Sequence, residues 1–427
     1  MKHRFILLLL IVFTILATFI SCSAPTINNG ESSDIETEKS HPSGYTPIAT
    51  VEDLMNISPN GEYILTADIN LQGIEWKPIG NSSVPFSGLF DGNGHKITNL
   101  FISEPRSYVG VFGYNSGIIQ NLKVENVNID VTFTKKMEII YAGAIAGLNE
   151  GTITNCTTSG NISSSADLTG AGGVVGYNSG GTIKYCFSVG NVSAKSFGES
   201  IDQAIAGGLV GINTSAVSHS FSSCDVSASA KNNVAGGLIG DCNNGMVEKC
   251  YATGNTYATI SSWAHHPSAC AGGLIGNVYE STVSECYSSG NVESSVFSSN
   301  TSSVPSATAG GLVGYIAKSN LNNCYSLCNV NSSNTAHTVT REVFAGRLVG
   351  NGSFQNIDNC YCSDAQMLSK TDGAIPNNVA TNDIGEMIAQ ATLQTSTFHT
   401  DILKWSTEHW SFSDSILPSL KTIGNSQ

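Results

Sequence analysis

The chain has 427 residues, a formal net charge of −14 and only 12% charged side chains, about half the usual share for a soluble domain. An acidic balance of this size argues against a nucleic-acid partner and against electrostatic capture by anionic lipid. Few charges with abundant Ser, Asn and Gly suit a surface of short polar side chains laid over a regular core.

The chain opens on Lys2, His3 and Arg4, followed by an apolar run from Phe5 to Ile20 that stops at Ser21-Cys22. A charged start, a short apolar stretch and a small residue before the cut describe a secretory signal over 1–21. The run is too short and too abruptly ended for a good spanning helix. Phe19-Ile20-Ser21-Cys22 resembles a bacterial lipobox, which makes Cys22 the expected lipidation site and membrane anchor. Residues 22–44, rich in Ser, Asn and Glu, read as a flexible tether.

Residues 45–105 read as an N-terminal cap and first coils. Thr50 is an N-cap candidate for a short helix at Val51–Met55. Asn93-Gly94 reads as a tight turn rather than a calcium loop, because His95 and Lys96 stand where ligands should follow.

From 106 to 365 one pattern recurs. Gly172-Gly173-Val174-Val175-Gly176, Gly207-Gly208-Leu209-Val210-Gly211, Gly236-Gly237-Leu238-Ile239-Gly240, Gly272-Gly273-Leu274-Ile275-Gly276 and Gly310-Gly311-Leu312-Val313-Gly314 are copies, with looser ones ending at Gly113, Gly147 and Gly350. Their last glycines lie 34, 29, 35, 29, 36, 38 and 36 residues apart, a period that marks stacked repeats. Each copy is followed by an apolar residue, a Cys three later and often an aromatic, as in Ile183-Lys184-Tyr185-Cys186-Phe187 and Val247-Glu248-Lys249-Cys250-Tyr251. The expectation is three short strands per repeat, each repeat one coil of an all-β parallel β-helix (β-solenoid) of about eight coils. A propeller, with four strands per blade and a longer unit, ranks second. The glycines do not form a phosphate loop, since no helix or Lys-Ser/Thr follows. They answer to positive φ or to close stacking of coils.

These repeats resemble the GLUG-motif family, named for its Gly-Leu-x-Gly core. The flanks Phe86-Ser87-Gly88-Leu89-Phe90-Asp91-Gly92-Asn93-Gly94 and Trp410-Ser411-Phe412 match that family's usual surroundings. The resemblance implies a bacterial surface or secreted protein. Similar repeats precede the catalytic part of some immunoglobulin-cleaving metallopeptidases, but the family implies an address and a fold more than a reaction.

Cys156, Cys186, Cys250, Cys286, Cys324 and Cys360 share one repeat column with Leu122 and Ser220. This is expected to be a buried, reduced structural ladder, because in-register side chains meet poorly for a bridge. No metal and no cofactor is expected, as Cys-x-x-Cys pairs with nearby His are missing. Cys224, Cys242, Cys270, Cys328 and Cys362 cannot be paired from sequence.

Glu248 and Asp358 fall in one column three repeats apart, which is not the carboxylate pair that glycoside hydrolysis needs. A polysaccharide lyase or glycoside hydrolase on a similar β-helix is the alternative to the leading expectation. That leading reading is a cell-envelope lipoprotein whose variable loops at 194–205, 255–270, 293–308 and 331–344 meet a surface glycan or protein, or whose solenoid acts as a spacer. Tyr257, Trp263, His265, His266 and Phe297 are the candidate contacts. Residues 366–427 read as a C-terminal cap, with helix-compatible spacing from Ile384 to Leu403.

Overall fold

Short β-branched runs bury one face each and leave their backbone polar groups needing partners, and stacking on an identical neighbour satisfies both demands. The computed structural model describes residues 44–134, 137–197, 202–260, 267–297, 304–335, 342–371, 380–381 and 385–421, all within the unit Ser43–Gln427. Among these residues the chain winds as a stack of coils whose strands pair in parallel with the coil before and the coil after.

Each coil carries four strands, one more than the repeat pattern suggests. In one coil they are Leu168–Gly172, Val175–Asn178, Thr182–Lys184 and Phe187–Lys195. They build four faces of nine, eight, eleven and sixteen strands; the last number is large because later coils break the fourth strand in two, as at Tyr251–Ala252 and Thr256–Ile260. The extra corner falls inside the run Gly172-Gly173-Val174, which reads as one apolar segment but turns between two faces.

Those glycines do not adopt positive φ. They allow close approach instead. A Cβ on Gly172 would lie 2.0 Å from the Val175 carbonyl, and one on Gly173 would lie 2.2 Å from the Gly208 carbonyl of the next coil and 2.6 Å from Ser188 Cβ. The space left inside holds hydroxyls: Ser188 Oγ donates to the Gly208 carbonyl at 2.6 Å, and Thr158 Oγ1 to the Gly173 carbonyl at 2.9 Å.

The core is a set of columns. On the third face Ile119, Ile153, Ile183, Val217, Val247, Val283 and Leu321 stand in register and are fully buried. At the end of the second strand Asn115, Asn149, Asn178 and Asn213 form a buried amide ladder, each side chain donating to the next at 2.7–2.8 Å. It ends where Asn213 meets Cys242 Sγ at 3.5 Å.

The N-terminal helix Val51–Met55 forms as expected. Thr50 Oγ1 accepts from Asp53 N, and Asp53 returns a bond to the Thr50 amide, a capping box. Asn93 and Gly94 both take positive φ in their turn. The C-terminal region is not the helix its spacing suggests. It holds a strand Glu386–Ile388 that pairs with Tyr361–Ser363, one helical turn Gln390–Leu393, a π-turn Phe398–Ile402 and a two-stranded hairpin, Trp410–Ser413 with Ile416–Leu420. Leu393, Phe398 and Leu403 are buried at intervals of five, wider than a 3.6-residue period can keep on one face. The chain there lies as a strap along the outside of the coils.

Candidate functional site

Two surface features carry side chains that a partner could use. The first is the corner between the fourth strand of one coil and the first strand of the next. Some coils cross it with two residues, Ala166-Asp167 or Ala230-Lys231. Others insert longer loops between Lys195 and Gln203, Ile260 and Ser268, Val296 and Ser306, and Asn334 and Glu342. Because the coils are in register, the points where these loops leave and rejoin the coils form a row along one edge. Much of the stretch expected as loop at 255–270 is strand, Thr256–Ile260 and Ser268–Gly272; the backbone stays paired close to the corner.

Two of the candidate contacts, Tyr257 and Phe297, fall beside this row. Tyr257 is on the fourth face, in register with Ser227 and Glu293, and burial beside Asp225 and Glu293 raises its hydroxyl pKa. Phe297 is 51% exposed at the root of its loop, and Phe197, which the sequence reading missed, is 80% exposed at the equivalent root. Trp263, His265 and His266 lie outside the described residues, as does Cys22.

The second feature lies at the opposite end of the fourth strand. Phe187, Phe221, Tyr251, Tyr287 and Tyr325 stack coil on coil, with centroids 4.6–5.2 Å apart and planes within 8°. The C-terminal strap covers the tyrosine part of this ladder. Trp405 and Trp410 pack against Tyr287, and Tyr287 donates from its hydroxyl to the Pro418 carbonyl at 2.7 Å. His399 accepts from the Tyr325 hydroxyl through Nε2 and donates from Nδ1 to the Thr395 carbonyl. Burial pushes its pKa down to about 4. Phe187 and Phe221 emerge beyond the strap into a groove with Asn155, Thr157, Tyr185, His219 and Lys421.

Beside the ladder runs the cysteine column. Cys156, Cys186, Cys250, Cys286, Cys324 and Cys360 are buried and free of disulfides. Each Sγ lies 3.1–3.3 Å from the carbonyl two residues earlier. Where Ser220 replaces Cys, its Oγ donates to the Ser218 carbonyl at 2.7 Å and accepts from Cys186 N. Desolvation pushes the thiols of Cys156, Cys286 and Cys324 well up, the reverse of what a nucleophile or metal ligand needs. Of the cysteines outside the column, Cys242 closes the amide ladder, and Cys270 lies between the first two faces with Sγ 3.4 Å from the Gly276 carbonyl. Glu248 and Asp358 are in one register column with Ser284 and Asn322 between them.

The residue before each column position is left-handed: Asn121, Asn155, Tyr185, His219, Lys249, Glu285, Asn323 and Asn359 all have φ of 49–54°. Asn tolerates this conformation, whereas other L-residues pay about 1 kcal/mol or more. Three such residues line the groove, Asn155, Tyr185 and His219, and the last two are among the four that depart from Asn.

Comparison with known proteins places these features. The chain is 30% identical over 142 residues to Halomucin of Haloquadratum walsbyi, covering 30% of this chain and 2% of that protein. It is 35% identical over 94 residues to a "Putative Gly-rich membrane protein" of Evansella cellulosilytica, covering 21% of this chain and 10% of that one. The chain thus spans only a small part of these relatives. Among solved structures, a putative immunoglobulin A1 protease from Bacteroides ovatus aligns over 88% of this chain and 92% of that one at 18% identity and a TM-score of 0.42, too distant to add to the coil geometry above. The sequence family described as the GLUG motif matches residues 268–293, which is one circuit of the solenoid from Ser268 in its first strand to Glu293 in its fourth: the chain carries the GLUG motif.

Proposed function

We propose that this chain is an exported β-solenoid, anchored through acyl chains on Cys22, that presents its loop edge to a surface glycan or protein. The observation that carries this reading is the row of loop roots at one corner, with Phe197 and Phe297 exposed there. Exposed aromatics on a rigid scaffold supply contact area at small entropic cost. The membrane-protein name of the Evansella cellulosilytica relative fits an exported protein, and the acidic balance fits a partner other than nucleic acid.

Palmitate labelling of the wild type and of Cys22→Ala, followed by fractionation, tests the anchor. One chain holds a protein marginally and several hold it firmly. The wild type should be labelled and membrane-bound, and the variant unlabelled and released. An unlabelled wild type found free in the medium would sink the anchor.

A further inference from the structure

The aromatic ladder stops one rung early. Thr157 stands in register with Phe187 on the preceding coil, so the position where the next ring would stack holds a small hydroxyl side chain. The space above the Phe187 ring is closed at the sides by Asn155, Tyr185 and Lys421. At this level the strap contributes Leu420 and Lys421 to the groove lining and His409 against His219, leaving Phe187 and Phe221 half-buried. A slot with one aromatic wall results.

The fringe of the slot is polar. His219 is only 7% exposed, yet neither ring nitrogen has a hydrogen-bond partner among the described residues. Its ring is held between Tyr185 and His409, with centroids 4.8 and 4.6 Å away. Burial and the nearby His409, Lys184 and Lys249 push its pKa down to about 4, so the ring is neutral, with one N–H and one lone-pair nitrogen both sealed from solvent. An unpaired buried polar group costs roughly 1–3 kcal/mol. Tyr185 and His219 also carry the left-handed backbone described above. Strain and unmet hydrogen bonds at one groove mark a site shaped for something other than stability.

The groove lining contains no carboxylate. Its cations are engaged: Lys421 Nζ donates to the Thr407 carbonyl at 2.6 Å, and Lys184 Nζ sits 4.7 Å over the Tyr185 ring. The chain as a whole is acidic and repels polyanions. An aromatic side chain in the slot would leave Asn155 and Thr157 unmatched, whereas a sugar ring has an apolar C–H face and a rim of hydroxyls that both donate and accept. We propose that this groove binds one pyranose unit of a neutral glycan, stacked on Phe187 and held at its rim by Asn155 and Thr157. The site is separate from the loop edge, at the other end of the fourth strand.

Titration calorimetry and saturation-transfer NMR on the full chain, with neutral tetrasaccharides of glucose, mannose and galactose and with tetragalacturonate, test it. At least one neutral tetrasaccharide should bind, and its ring protons should receive saturation. Thr157→Phe fills the slot with the missing ring, so it should weaken that binding about tenfold or more while the melting temperature holds or rises. Phe187→Leu keeps an apolar side chain but removes the flat face, and should weaken binding by a similar factor. Replacing 261–266 with a Gly-Ser linker should leave this binding unchanged, which separates the groove from the loop edge. Absence of binding by all three neutral sugars, tighter binding of tetragalacturonate than of any of them, or binding that survives both substitutions in folded protein would overturn the proposal.

Discussion

Asn149 donates from its side-chain amide to the side-chain oxygen of Asn178, one coil on, at 2.8 Å, and spends its other proton on the Gly151 carbonyl. Asn178 repeats the arrangement with Asn213 and the Gly181 carbonyl. Both side chains are fully buried, so every bond removed leaves a partner dry and unpaired. Asn178→Ala should cost about 3 kcal/mol by denaturant unfolding, more than Asn191→Ala on the exposed Asn161–Asn191 pair. Equal costs at the two sites would show that the interior ladder is replaceable.

The cysteine column should behave as packing. Cys250→Ala should destabilise by about 1–2 kcal/mol. Thiol titration of folded protein should find the column unreactive, and denaturant without reductant should free it. Thiols that appear only after reduction, or zinc released on titration, would reopen a redox or metal role.

Left-handed Lys249 is a strained choice with weak compensation, since its Nζ lies 3.6–3.7 Å from Glu285 and Glu248. Lys249→Asn should stabilise the protein by roughly 0.5–1 kcal/mol, read as a rise in melting temperature. A fall would mean that the ion pairs outweigh the backbone.

Burial pushes the Asp241 carboxyl up to about 6, with the Asn243 amide as a partner at 3.0 Å. A carboxyl that is harder to ionise folded than unfolded costs stability above its folded pKa, and that cost disappears as pH falls from about 6 towards 4. His219 and His399, both held near 4, act in the opposite sense: the folded state resists their protonation, so stability falls as pH drops below about 6.5. Asp241→Asn should therefore raise stability at pH 8 by about 2 kcal/mol and leave a melting curve that only declines between pH 6.5 and 4. A variant with unchanged stability at pH 8 would place Asp241 in contact with water.

The strap should be needed for solubility. Removing 380–427 uncovers Tyr251, Tyr287 and Tyr325, buried against Trp405 and Trp410, and exposes the edge of Tyr361–Ser363 that pairs with Glu386–Ile388. Unpaired strand edges invite association. The truncated chain should aggregate by light scattering; a monomeric, cooperatively melting product would refute this.

Much of the fold was legible because the repeat is strict. The apolar residue three before each Cys, the Cys itself and the aromatic after it each became a straight column. The fourth strand per coil was hidden, since the corner at Gly172-Gly173-Val174 uses no Asn, Pro or positive-φ glycine and is buried on both sides. The C-terminal spacing misled because Leu393, Phe398 and Leu403 meet a flat stack of rings rather than a helix partner. The groove at Phe187 could not be read at all. It depends on what Thr157 lacks a coil earlier and on where Lys421 ends up after the strap doubles back. Phe197 was overlooked because a lone Phe in a polar loop shows no pattern, although its place at the loop root matches Phe297.

The corner crossed by Ala166-Asp167 in one coil and by a long insertion in the next has a consequence for how this molecule can change. Nearly all variation in repeat length is confined there, and neither neighbouring strand shifts register to accommodate it. Loop closure grows more costly only slowly with length, so that edge can lengthen, shorten or be rewritten while the columns stay aligned. The interior conserves a spacing, and the rim is free to diversify coil by coil.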